Sequence, residues 1–160
     1  MYSFRDSNQK DFDDIAAFTK DRTESFYMFP KGRFPVESKQ LYEVSLTRLM
    51  PTVIEFDQQV VGYSNFYDLV EGEYCWLGNV IIHRDFRGKG AGKYLMEVMI
   101  TKAREELKVK QLQLVCHNTN TKALFMYYKL GFEPFDIKLA KDYNNEDVAG
   151  IKMRTSLSKD

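Results

Sequence analysis

Cysteine, proline and net charge are all scarce in this chain, and each shortage removes a class of protein. Two cysteines in 160 residues, Cys75 and Cys116, cannot build a disulfide framework, and neither sits in a C-x-x-C or Cys/His spacing that would hold zinc. Both lie inside apolar runs, where a reduced thiol packs as a small hydrophobe. With only 4 prolines and no Gly/Ser-rich tract, the chain shows no linker, so residues 1–160 read as a single domain. The 23 basic and 23 acidic residues cancel. That removes the basic surplus a phosphate backbone demands, and no nucleic-acid partner is expected. No apolar run approaches the ~20 residues needed to span a bilayer, so no membrane segment is expected. The start, "MYSFRDSNQKDFDD", is polar and acidic, unlike a secretory or transit signal. A cytoplasmic protein without a metal site is the expectation.

What is present is a hydrophobic fraction of 44%, enough for one sizeable core at this length. "YSFRD" reads as a first strand. "NQKDFDDIAAFTKDR" carries Phe12, Ile15, Ala16 and Phe18 or Thr19 at helical spacing, with Ser7 available as N-cap. "ESFYMFPKGRFP" breaks that pattern with two prolines and a glycine, and reads as an aromatic-rich loop. "VESKQLYEVSLTRLM" returns to helical spacing up to Pro51. The period then changes to two, and "TVIEFDQQVVGYSNFYDLV" reads as a hairpin turning near Asp57–Gln59.

"EYCWLGNVIIH" is a nearly continuous apolar strand, predicted to be buried on both faces. Its Gly78–Asn79 step marks a bulge or a close backbone approach. "KYLMEVMITKAREELK" is the clearest helix, with Leu95, Val98, Met99, Ala103 and Leu107 on one stripe. A strand "VKQLQLVCH", a helix "NTKALFMYYKL" and the closing strands "FEPFDIKLA" and "DVAGIKMRTSL" follow. The order implies an α+β chain with a mixed, mostly antiparallel sheet of six to seven strands and about four helices.

Between strand and clearest helix lies "RGKGAGKYL", with glycines at alternate positions 88, 90 and 92. A P-loop needs G-x-x-x-x-G-K-[ST], but position 87 is Arg and position 94 is Tyr, which removes the first glycine and the magnesium-binding hydroxyl. A dinucleotide fingerprint needs G-x-G-x-x-G in a parallel βαβ unit, and neither the spacing nor the preceding meander fits. What remains is a strand, a glycine loop and a helix N-terminus, whose dipole contributes roughly half a positive charge. Amides free of Cβ obstruction form an anion cradle matched to a pyrophosphate.

"VIIHRDFRGKGAGKYL" resembles the acyl-CoA-binding motif of the GNAT superfamily of N-acetyltransferases, [QR]-x-x-G-x-[GA], filled by Arg87, Gly90 and Gly92. "NTNTKALFMYYKLGF" is similar to the family's later motif N-x-x-A-x-x-x-Y-x-K-x-G-F, filled by Asn120, Ala123, Tyr127, Lys129, Gly131 and Phe132. The resemblance implies a GNAT-like three-layer α/β/α fold. It also implies transfer of an acetyl group from acetyl-CoA to a primary amine, by direct attack in a ternary complex. A small-molecule amine is favoured over a protein N-terminus, and the alternative is an acyl-CoA-binding sensor or pseudoenzyme. A homodimer is compatible with this reading.

Carried onto this sequence, the resemblance puts the pyrophosphate on Arg87, Gly88, Lys89, Gly90, Ala91, Gly92 and Lys93. It puts the pantetheine arm along Val80, Ile81 and Ile82, with Asn120 as a pantetheine contact, a helix N-cap or both. A bulge at Gly78–Asn79 is expected to splay this strand from "LQLVCH" and admit the arm. Tyr127 aligns with the tyrosine that protonates the leaving thiolate, and Tyr128 beside it competes for the role. Many relatives use a glutamate on the strand before the loop as general base, which makes Glu73 the candidate, with Asp68 and Glu71 close by. His83 is given no catalytic role and His117 reads as a loop residue. The acceptor groove is expected between "ESFYMFPKGRFP" and "KLAKDYNNEDVAG".

Overall fold

A computed structural model describes residues 1–158. The elements run β1 (Tyr2–Asp6), α1 (Asp11–Ala17), α2 (Arg22–Met28), α3 (Ser38–Ser45), β2 (Leu49–Phe56), β3 (Gln59–Val70) and β4 (Tyr74–Ile82). After a 3-10 turn at Arg84–Phe86 come α4 (Ala91–Glu105), β5 (Gln111–His117), α5 (Thr121–Lys129), β6 (Glu133–Lys141) and β7 (Asp147–Ser156). The strands form one sheet in the order β1-β2-β3-β4-β5-β7-β6. Every neighbouring pair is antiparallel except β4 and β5. α4 is the right-length crossover for that parallel step.

Each face of the sheet carries its own core. Leu95, Met96, Met99 and Ala103 of α4, with Tyr127 of α5, pack on Ile54, Phe66, Leu77 and Leu112. On the other face Phe12 and Ile15 of α1, Met28 of α2 and Leu41 of α3 cover Val53, Tyr63 and Ile81. This is the three-layer α/β/α arrangement, with seven strands and five α-helices among the described residues.

The differences from the sequence reading lie in the N-terminal half. α1 begins after Lys10, without a side-chain cap from Ser7; Asn8 and Asp11 exchange hydrogen bonds there instead. The expected aromatic loop is half helix. Asp21 accepts from the Glu24 amide and starts α2, and the chain leaves helical geometry at Phe29, just before the first proline. α3 stops at Ser45 rather than Pro51, because Leu49–Phe56 is drawn into the sheet against β1 and β3. β4 is not buried on both faces: alternate residues Cys75, Leu77, Asn79 and Ile81 are buried and those between are half-buried. Of the half-buried residues, Gly78, Val80 and Ile82 lie where β4 has parted from β5, while Tyr74 and Trp76 are still paired with it.

Candidate active site

β4 and β5 pair only from Tyr74 to Trp76 and from Gln111 to Gln113. Beyond Trp76, β4 keeps its partner β3 while β5 keeps β7, so the two central strands diverge into a V. The bulge that bends β4 is at the predicted step. Asn65 pairs with Gly78 and Tyr63 with Ile81, which leaves Asn79 and Val80 opposite the single residue Ser64. Asn79 has φ 52°, a left-handed conformation that asparagine tolerates better than most residues.

Buried amides hold this bulge in place. Asn65 Nδ2 donates to the Tyr63 hydroxyl at 2.9 Å and to Asn79 Oδ1 at 3.0 Å. Asn79 Nδ2 donates to the Met28 carbonyl at 2.9 Å, tying the last residue of α2 to the bulge. Asn79→Ala should cost about 2–3 kcal/mol, from a buried carbonyl left unpaired and a left-handed alanine. The urea midpoint checks this; an unchanged midpoint removes the network from the fold's support.

The edge of Val80, Ile81 and Ile82 that faces β5 has no strand partner among the described residues. It leads directly into the glycine loop. Gly88 and Gly90 take φ 73° and 87°, and Gly90 caps α4. The amides from Gly88 to Lys93 make no well-formed hydrogen bond with the described residues. Consecutive unpaired amides at the start of a fifteen-residue helix are what a pyrophosphate requires. Tyr2 fixes the loop by donating its hydroxyl to the Lys89 carbonyl at 2.9 Å and stacking on Tyr94 at 5.4 Å. The chain thus fits the CoA group that its motifs imply.

Arg87 is already engaged. Its Nε donates to the Ile82 carbonyl at 3.2 Å, and its Nη1 reaches Glu24 at 3.0 Å, where Arg84 also lands at 2.6 Å. Burial would raise the Glu24 carboxyl, but the Lys20 amide and the two guanidiniums outweigh it and hold it below the usual range. This clasp ties α2 to the end of β4.

The second motif block lies across the V from the first. The start of α4 packs on α5 so closely that a Cβ on Gly92 would come within 3.1 Å of Met126 Sδ. Tyr127 is buried, against Phe132 at 5.8 Å, and its hydroxyl has no hydrogen-bond partner among the described residues. Burial first, and the nearby Cys116 second, raise its pKa well above the ordinary phenol value. Tyr128 is 69% exposed and cannot share that environment. Asn120 precedes α5 without a side-chain capping bond, so its amide stays available to a ligand and the N-cap role is absent. Cys116 is pushed up to about 12 by burial, which suits a packed thiol and not a nucleophile.

Glu73 is not at this opening. It sits in the exposed turn ahead of β4, and its carbonyl accepts from the amides of Lys110 and Gln111 at 2.9 and 3.0 Å. From Gln111 to Cys116, beside Tyr127, is roughly 16 Å of strand at ~3.3 Å per residue. Glu73 is therefore at the closed, paired end of the V, and Glu71 shares its turn.

His117 is the residue that sequence reasoning missed. It is the last residue of β5, not a loop residue, and is 6% exposed. Its ring lies 4.4 Å from Phe26 and 6.2 Å from Tyr27, both on α2. Burial first, then the charge of Lys138, lowers its pKa from the ordinary value. Only the strand's alternation could have hinted at it, because it follows Cys116 and so faces the opposite side of the sheet. Around it the two expected groove walls meet, with the Phe26 and Tyr143 rings 6.3 Å apart; just outside the walls, Thr23 and Tyr143 join hydroxyls at 2.8 Å and Tyr27 donates to Thr119 at 2.8 Å.

Solved structures share this fold. A Vibrio cholerae spermidine N-acetyltransferase, crystallised with CoA and spermine, superposes with a TM-score of 0.82 at 19% identity, covering 99% of this chain and 96% of that one. A putative phosphinothricin N-acetyltransferase gives 0.82 at 17%, covering 99% and 100%. A probable spermine N(1)-acetyltransferase of Bacillus subtilis subsp. natto is 33% identical over 73 residues, which is 46% of this chain and 46% of that protein. The chain thus matches about half the length of its curated relative. The acetyltransferase (GNAT) family model matches residues 12–132, most of the chain, through both motif blocks and the V between them, and the chain belongs to that family.

Proposed function

We propose that this chain is an acetyl-CoA-dependent N-acetyltransferase acting on a small primary amine. The observation that carries the proposal is the opening between β4 and β5, whose free β4 edge runs into the unpaired amides of Gly88 to Lys93. Acetyl-CoA would supply the acetyl group as an activated thioester. Gly88, Lys89, Gly90, Ala91, Gly92 and Lys93 hold its pyrophosphate, with Arg87 at the rim. Val80 to Ile82 and Asn120 hold its pantetheine arm. Much of the acceleration comes from bringing two reactants together, where effective molarities reach about 10⁵ M or more.

Two proton movements remain. The acceptor must be a neutral amine, and His117, kept neutral by burial, is placed to receive its proton from the α2 side of the sheet. Tyr127, on the α4–α5 side, stays protonated at neutral pH and donates to the leaving thiolate. The names of the relatives support an amine acceptor. Thiol release from acetyl-CoA across a panel of amines tests the reading; binding without release under any amine overturns it and leaves an acyl-CoA-binding protein.

His117→Gln should lower kcat/KM by about 100-fold, within the range for loss of a general base. The sign of the pH dependence follows from the lowered pKa. Protonation abolishes the base, so the wild-type rate should rise with pH through a midpoint below the usual histidine value, about 6.5. The variant should lack that limb, and an identical acidic limb would remove His117 from the mechanism.

A further inference from the structure

On the acceptor side of the sheet, below the helices, three aromatic rings run across the strands. Tyr67 of β3 stacks with Trp76 of β4 at 6.3 Å, and Trp76 meets Phe135 of β6 at 6.4 Å. Each ring carries a cation. Arg48 lies over Tyr67 at 4.3 Å, Lys152 over Trp76 at 6.0 Å and Arg154 over Phe135 at 4.5 Å. Only Lys152 has a carboxylate, Asp136 at 3.5 Å; among the described residues Arg48 and Arg154 form no ion pair. Asp68 is the other acid near this row, close enough to act on Tyr67.

Arg48 is the cation that reaches β4 where the strands begin to part. It is half-buried, it donates from Nη1 to Asn65 Oδ1 at 3.2 Å, and it passes directly over Gly78. A Cβ on Gly78 would collide with that nitrogen. Gly78 is two residues beyond the last β4–β5 pair, where the strands begin to part. A guanidinium has five N–H donors in a planar fork, and among the described residues only one is used here. A half-buried guanidinium without a counter-charge is an uncommon expense for a fold to carry.

We infer that Arg48 receives a carboxylate of the acceptor, and that the acceptor is a small aminocarboxylate and not a polycation. The inference rests on the transferase reading for naming this groove the acceptor's. A bidentate guanidinium–carboxylate pair over Gly78 holds one end of the acceptor where the V begins to open. The aromatic row accommodates its apolar part. Spermine, with only positive charge, would meet Arg48 and Arg154 as like charges.

The test is binding, so that it does not depend on turnover. α-Amino acids with small, aromatic and acidic side chains, each paired with its carboxamide, are titrated calorimetrically against the CoA-loaded protein, with spermine alongside. At least one amino acid should bind about tenfold or more tighter than its amide. Arg48→Met should abolish that preference and Arg48→Lys should keep only part of it, while CoA affinity, which reports the folded cradle, stays unchanged. The inference is overturned if every pair binds alike, if spermine binds tighter than every amino acid, or if Arg48→Met keeps the preference. Absence of thiol release in a parallel assay would count against the transferase reading alone.

Discussion

Gly90→Val should weaken acetyl-CoA binding by about 100-fold or more while the sheet remains folded. Gly90 holds φ 87° at the start of α4, and among the described residues nothing lies within 4 Å of a Cβ built there. The loss therefore comes from the backbone, not from a collision. A β-branched residue in the left-handed region costs at least ~1–2 kcal/mol and escapes by rotating the peptide. That rotation turns the Gly90 and Ala91 amides out of the cradle. Each hydrogen bond from an amide to a charged oxygen contributes about 1.5–3 kcal/mol, so two lost bonds amount to about 100-fold at the lower end of that range and more above it. Since the loop makes no buried contacts at Gly90, far-UV circular dichroism and the urea midpoint should stay close to wild type. Normal affinity by calorimetry would sink the cradle assignment.

Tyr127→Phe should lower turnover at least about tenfold with acetyl-CoA affinity nearly unchanged; general acids contribute about 10²–10⁴-fold where the proton donation limits the rate. The substitution is clean because the hydroxyl has no partner among the described residues, so no donor or acceptor is orphaned. The ring keeps its contact with Phe132. The raised pKa sets the sign at alkaline pH: a phenol above its ordinary value stays protonated and competent through pH 10, so Tyr127 adds no falling limb below that. Tyr128→Phe, at an exposed position, is the control and should leave turnover intact. A wild-type rate in Tyr127→Phe would remove that hydroxyl from the mechanism.

Both expectations concern residues legible in the sequence, and the reason is local. The glycines at 88, 90 and 92 act through backbone conformation beside a helix start, and a single stretch of chain carries that information. The apolar stripe of α4 and the Gly78–Asn79 bulge are legible for the same reason: one is a repeat within a helix, the other an interruption within a strand. α2 was not legible because its Asp21 cap stands in a stretch dominated by the prolines that follow it. Glu73 lies in the turn just ahead of β4 at its closed end, and sequence order alone does not say which end of a strand lies beside Tyr127.

His117 and Arg48 show where sequence reading stops. His117 reaches the site because β5 ends there and α2 lays Phe26 and Tyr27 against its ring. Arg48 is 30 residues before Gly78, in a segment with no motif, and lies over it only because β2, β3 and β4 form adjacent strands. The sequence by itself determined the family, and it carries the glycine spacing of the proposed cradle and the motif position of Tyr127, since these depend on residue type at short, fixed spacing. The tertiary structure alone brought His117 against α2 and Arg48 over Gly78, the base and the cation proposed to face the acceptor. Those placements depend on side chains from distant segments converging on one face of the sheet, and no local spacing encodes that convergence.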